Sequence, residues 1–201
     1  MMIRKIGMWV FAAVVAGSMV GCAGSVKRIS PDEVVDLSGR WNDTDSQLVA
    51  EEMVKEALAR PWLAKFLKEH GKNPTVIVGT IKNKTDEHIA IDTFQKDIER
   101  ELTNSGSVDF VASKGERNEV RSEREDQQTY ASDRTRKQMY DETGADYMLQ
   151  GTLSKITDAA GGKRTFYYQV DMELVDMQRN VKVWFGNKKI KKFITRPGVG
   201  L

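Results

Sequence analysis

Beyond residue 43 the apolar positions follow two alternating periods. Val49, Met53 and Ala57 recur at spacing four beside Ala50, Val54 and Leu58, behind Asp43, Thr44 and Asp45, residue types that cap helix N-termini. The spacing predicts an amphipathic helix. Pro61 suits the first turn of a second helix carrying Trp62, Leu63, Phe66 and Leu67, which Gly71 can terminate. Residues 75–81 are β-branched and short, the signature of a buried strand. Ile91, Phe94, Ile98 and Leu102 set an apolar stripe on a further helix, and residues 108–111 suggest a short strand. Residues 114–144 have few large apolar side chains, Val120, Tyr130, Met139 and Tyr140, and read as two polar helices broken near 128–132.

The period then changes to two. Residues 147–156 have strand character, Ala159-Ala160-Gly161-Gly162 signals a turn, and Phe166, Tyr168, Val170, Met172 and Leu174 alternate with Gln169, Asp171 and Glu173. After a turn at 178–180, Val181, Val183 and Phe185 begin a last strand with their side chains on one face. Trp184 then shares parity with Lys182 and points to solvent, where it is a candidate partner-binding residue, unless a bulge returns it to the core. Helices, strand, helix, short strand, helices and a three-strand meander predict an α+β fold: one domain, 43–201, with a mixed, mostly antiparallel sheet flanked by helices.

The amino terminus is read differently. Arg4 and Lys5 precede the uncharged, mostly apolar run 6–20, and Gly21 stands directly before Cys22, the tripartite layout of a secretory signal. Met19-Val20-Gly21-Cys22 resembles a bacterial lipobox, in which the cysteine is acylated and the preceding peptide removed. Residues 1–21 are then a signal peptide, Cys22 is the lipidation site and new amino terminus, and 22–42 form a tether. An uncleaved span across 6–26, which carries no charge, is the competing reading, and a free buried cysteine is a third. As in other bacterial lipoproteins, the residue after the cysteine influences sorting; Ala23 is not the aspartate of inner-membrane retention, which implies the outer membrane, facing the periplasm.

Composition narrows the chemistry. The chain has 201 residues, 30% of them charged and 8% aromatic, which suits one soluble domain and excludes a polytopic membrane protein. A single cysteine excludes an internal disulfide. Without residues 1–21 the formal charge is zero, but the last 25 residues carry seven cations and no acid. Those lysines suit an anionic partner, or guard the last strand against edge-to-edge pairing. His70 and His88 stand 18 apart with no ligand spacing around them, so neither a metal site nor a cofactor is expected. No Gly-x-Ser-x-Gly element and no phosphate-cradling glycine loop occurs. The mixed charges of 116–137 suit solvated helices better than a nucleic-acid surface. No catalytic residue is assigned.

Several segments together carry a resemblance. The lipobox cysteine, Asp36-Leu37-Ser38-Gly39-Arg40-Trp41-Asn42-Asp43, Val76-Ile77-Val78 followed by Ile81-Lys82-Asn83-Lys84-Thr85, Gly144-Ala145-Asp146-Tyr147-Met148-Leu149-Gln150-Gly151, and Leu174-Val175-Asp176 before Val183-Trp184 look like LpoB-type outer-membrane lipoproteins. The resemblance covers nearly the whole mature chain. It implies a fold similar to the amino-terminal domain of TolB and the CsgG core, and a non-catalytic protein that binds and activates a bifunctional penicillin-binding protein. Gln150 and Thr152, on the strand where the family's docking surface is expected, are candidate contact residues. The tether departs from the long, proline-rich one of the best-known members. A CsgG-like structural or secretion-associated subunit is the alternative, and oligomeric state stays open.

Overall fold

The structure, a computed structural model, describes residues 25–31, 33–140 and 142–195. Cys22, the signal peptide and the first part of the tether lie outside them. The chain divides into two compact units, residues 1–33 and a unit that begins at Val34. In the first, the described residues form no helix or strand, and the Glu33 amide donates to the Ser30 carbonyl at 3.1 Å.

The described residues of the second unit form four helices and five strands: α1 (Asp43–Leu58), α2 (Pro61–His70), β1 (Thr75–Asn83), α3 (Ile91–Asn104), β2 (Asp109–Phe110), α4 (Lys114–Tyr130), β3 (Tyr147–Ala160), β4 (Lys163–Asp176) and β5 (Val181–Thr195). The sheet order is β2-β1-β3-β4-β5; β1 pairs in parallel with β2 and β3, and β3, β4 and β5 form the antiparallel meander. The α+β class and the mixed sheet are as the apolar periods predict.

Asn42 caps α1, one residue before the acidic cluster: its side chain accepts from the Asp45 amide while Asp45 accepts from the Asn42 amide. The stripe of α1 packs against α3 and β5, with Val49 and Ala50 fully buried. Phe94, Ile98 and Leu102 of α3 close the same core from beside β1. In α2, Trp62 and Phe66 meet the Tyr147 ring edge-on at 5.0 and 5.6 Å, an arrangement favoured by the ring quadrupoles. The helix ends at Gly71, as its sequence signals.

Residues 34–42, read from sequence as the end of the tether, belong to the second unit and are bonded to its last strand. Asp36 accepts from the Gly39 amide and pairs with Lys192 of β5. Gly39 has φ +68°, and a Cβ there would stand 2.4 Å from Ile194 Cδ1, so this turn against the strand favours glycine.

Two expectations fail. The polar stretch forms one helix, α4, not two; after Tyr130 the described residues run through turns to β3. Ser113 and Glu116 make a capping box that starts α4, whereas Tyr140 is 95% exposed and gives a second helix no core to dock on. In β5 a bulge breaks the register between Leu174 and Val175: Lys182 faces Val175, Val183 is extra, and Trp184 faces Leu174. The parity inverts there, so Trp184 is 5% exposed in the core and Phe185 is 57% exposed.

Candidate docking surface

Strand alternation gives the meander two chemically different faces. Phe166, Tyr168, Val170, Met172 and Leu174 of β4 point into the core with Leu149 and Leu153 of β3. The opposite face stays half-buried or exposed and is laid out in cross-strand rows. Gln150 faces Glu173, which faces Phe185; Thr152 faces Asp171, which faces Asn187; Ser154 faces Gln169, which faces Lys189; Ile156 faces Tyr167, which faces Lys191.

Hydrogen bonds fix these side chains. Gln150 Nε2 donates to Glu173 Oε1 at 2.7 Å, and Glu173 also pairs with Lys182. The Lys182 ammonium, aided by Gln150, holds the Glu173 carboxyl below the usual carboxylate range against partial burial. Gln169 Nε2 donates to both Asp171 oxygens, at 2.8 and 3.0 Å, and the Tyr167 hydroxyl donates to Gln169 Oε1 at 3.1 Å. Beside Gln150 and Thr152 lies a shallow depression of about 340 Å³, lined also by Lys82, Asp171, Glu173 and Phe185. Fixed donors and acceptors next to one exposed ring can recognise a complementary protein face.

The structure therefore brings Gln150 and Thr152 together on one surface and withdraws Trp184 from it. The Trp184 indole lies in the core beside Met53, Met172 and Leu174, too enclosed to meet a partner. Phe185 takes the exposed place, which parity alone assigned to Trp184; the bulge that exchanges them has no marker in the strand's composition. Glu173 and Asp171 were legible as outward residues of β4, but their pairing with Gln150 and Thr152 needed the β3–β4 register. Cys22 lies outside the described residues.

A second set of enclosed charges lies elsewhere. Lys155 Nζ reaches Glu87 Oε1 at 2.6 Å and Asp86 Oδ1 at 2.9 Å, over the Phe166 ring at 4.3 Å. The Lys155 and Glu87 side chains are 4% and 6% exposed. Tyr168 donates its hydroxyl proton to Glu87 at 2.8 Å, and the Trp41 amide donates to Glu87 Oε2 at 3.3 Å. Burial opposes the Glu87 charge, but these donors outweigh it and hold the carboxyl below its ordinary range; burial and the Glu87 carboxylate together push the Tyr168 phenol well above its own. The cluster ties the entry segment to the sheet through the Trp41 amide, Glu87 and Tyr168. His70 stacks on Phe66 and His88 is exposed, and among the described residues no group of His, Cys, Asp and Glu could hold a metal ion. Among the described residues no helix is long and apolar enough to cross a membrane.

Residues 45–190, from the first turn of α1 to the middle of β5, match the sequence model of the family described as peptidoglycan-synthase activator LpoB. The chain belongs to the LpoB family. Similar solved structures include the LpoB C-terminal domain from Escherichia coli, 19% identical over 65% of this chain and 93% of that one, with a TM-score of 0.35. The NMR structure of Escherichia coli LpoB is 18% identical over 86% of this chain and 84% of that one (TM-score 0.36). Lipoprotein GNA1162 from Neisseria meningitidis is 13% identical over 63% and 88% (TM-score 0.37). No curated protein matches the chain. The architecture of this LpoB-family chain stands on its own strand pairings, not on these overlaps.

Proposed function

We propose that this protein is a non-catalytic regulator of peptidoglycan synthesis that binds a bifunctional penicillin-binding protein and favours its active state. The family match across the folded unit carries this reading. The open sheet face supports it, with Gln150, held by Glu173, and Thr152 beside Phe185 as the docking residues. To activate, the protein must bind the active conformation of the synthase more tightly than the inactive one, since only differential affinity shifts an equilibrium. Lipid on Cys22 would hold it at the outer membrane, facing the periplasm, with residues 1–21 removed as a signal peptide.

From Cys22 to Val34, where the second unit begins, the chain advances twelve residues, at most about 43 Å when fully extended at roughly 3.6 Å per residue. The longest strand of the unit adds about 50 Å at roughly 3.4 Å per residue. A synthase that extends toward the outer membrane would come within this reach.

The test is glycan polymerisation by the cognate bifunctional synthase with and without the purified protein. Stimulation is expected, reduced by Gln150→Ala combined with Thr152→Lys. Neither binding nor stimulation across the organism's synthases would refute the proposal. Cys22→Ser is expected to release the protein from the membrane fraction; unchanged retention would favour a spanning helix instead.

A further inference from the structure

At the tip of the β3–β4 hairpin the core face opens into a groove of about 950 Å³ between the entry segment 37–40 and the ends of β4 and β5. Arg40, Lys163 and Arg164 line it, and no acidic residue does. All three are exposed, and among the described residues none of their side chains forms an ion pair. Arg164 lies over the Phe166 ring at 5.9 Å. Asp86 is close enough to feel the Arg40 charge, but Lys155 already binds its carboxylate. Asp158 belongs to the opposite face of β3, in the row with Thr165 and Phe193. Leu37, at the groove's edge, is 94% exposed, and Phe193, behind the tip, is 63% exposed.

This is also the end at which the chain enters the folded unit, since Val34 precedes Leu37 by three residues. We infer that the hairpin tip and its groove rest on a membrane surface, with Arg40, Lys163 and Arg164 against anionic lipid headgroups and Leu37 at the acyl boundary. Unpaired cations beside an exposed apolar side chain such as Leu37 are what such a boundary attracts. The inference draws on the lipid anchorage proposed above only for proximity. Gln150 and Thr152 lie eight to ten residues down β3 from the tip, roughly 27 to 34 Å at about 3.4 Å per residue, so a unit seated this way holds these two residues clear of the lipid.

Each cation near an anionic surface is worth about fivefold in partitioning, so three together favour the seated state about a hundredfold. The full chain, purified with its anchor, is reconstituted in phosphatidylglycerol-containing vesicles and in phosphatidylcholine vesicles, and backbone amide exchange is followed at 37–40 and 159–164. Expected is protection of these amides by up to about a hundredfold in the anionic vesicles, lost in molar salt and absent in phosphatidylcholine. Arg40→Glu with Lys163→Glu and Arg164→Glu should abolish it. Arg40→Gln with Lys163→Gln, which adds no carboxylate beside Asp86, should leave only about a twenty-fifth of it. Equal protection in both vesicles, no protection in either, or the same protection from inorganic phosphate without vesicles would overturn the inference. Lost synthase stimulation with intact protection would instead count against the docking function alone.

Discussion

Replacing Lys155 with Met tests the account of the enclosed charge cluster. Methionine keeps most of the side-chain length over Phe166 and removes the cation, which leaves Glu87, 6% exposed, facing an apolar group. Breaking a buried pair from one side costs about 3–5 kcal/mol, because the surviving charge stays desolvated. Tyr168 and the Trp41 amide still donate to Glu87, which argues for the lower end, about 3 kcal/mol. For a domain of this size each kcal/mol lowers Tm by about 2–4 °C, so a fall of about 6–12 °C is expected at pH 7 by circular dichroism. The pH dependence carries a sign. In the native protein the Glu87 carboxyl is held below its ordinary value of 4.5, so its stabilisation is present above that value and lost as pH falls through the folded pKa. In the variant burial dominates and raises the same carboxyl, so acid protonates it and relieves the penalty. The gap between native and variant should therefore narrow from pH 7 to pH 4, and Glu87→Gln added to Lys155→Met should recover part of the loss. A Tm change under 2 °C, or a gap that widens with acid, would refute the reasoning.

Three further outcomes follow from the fold. Trp184→Ala should destabilise by about 3–5 kcal/mol in urea unfolding, as a core truncation does, whereas Phe185→Ala should cost under about 1 kcal/mol; the reverse order would restore the unbulged strand. In Gly151→Ala the new Cβ would stand 2.5 Å from the Asp171 carbonyl oxygen, a backbone atom that cannot swing aside, so a loss of about 1–3 kcal/mol is expected by the same measurement. Tyr140→Ala, at a 95% exposed position, should leave stability within about 0.5 kcal/mol, and a larger loss would mean that 132–144 packs after all.

The elements of this protein are written into short windows of its chain. The stripe of Val49, Met53 and Ala57, Pro61 and Gly71 around α2, and the alternation of β4 each follow from geometry within one element, and the structure has them where these signals lie. Even the capping box of Ser113 and Glu116 was there to be read. The membership of the LpoB family is likewise carried by ordered segments of sequence.

What depends on two segments at once was decided only by the tertiary structure. Whether Trp184 or Phe185 faces outward turns on one extra residue, Val183, against β4, and a single insertion inverts every later side chain. That Gln150 meets Glu173, and that Lys155 is enclosed by Glu87 and Asp86 from 68 and 69 residues away, are matters of register and crossover. Nor do residues 34–42 read as folded, because they have no period of their own; Gly39 against Ile194 and Asp36 against Lys192 hold them to a strand formed more than 140 residues later. Local periodicity fixes which face of an element is apolar, since that depends on backbone geometry alone, whereas the choice of neighbour is a competition among distant contacts that no single window contains.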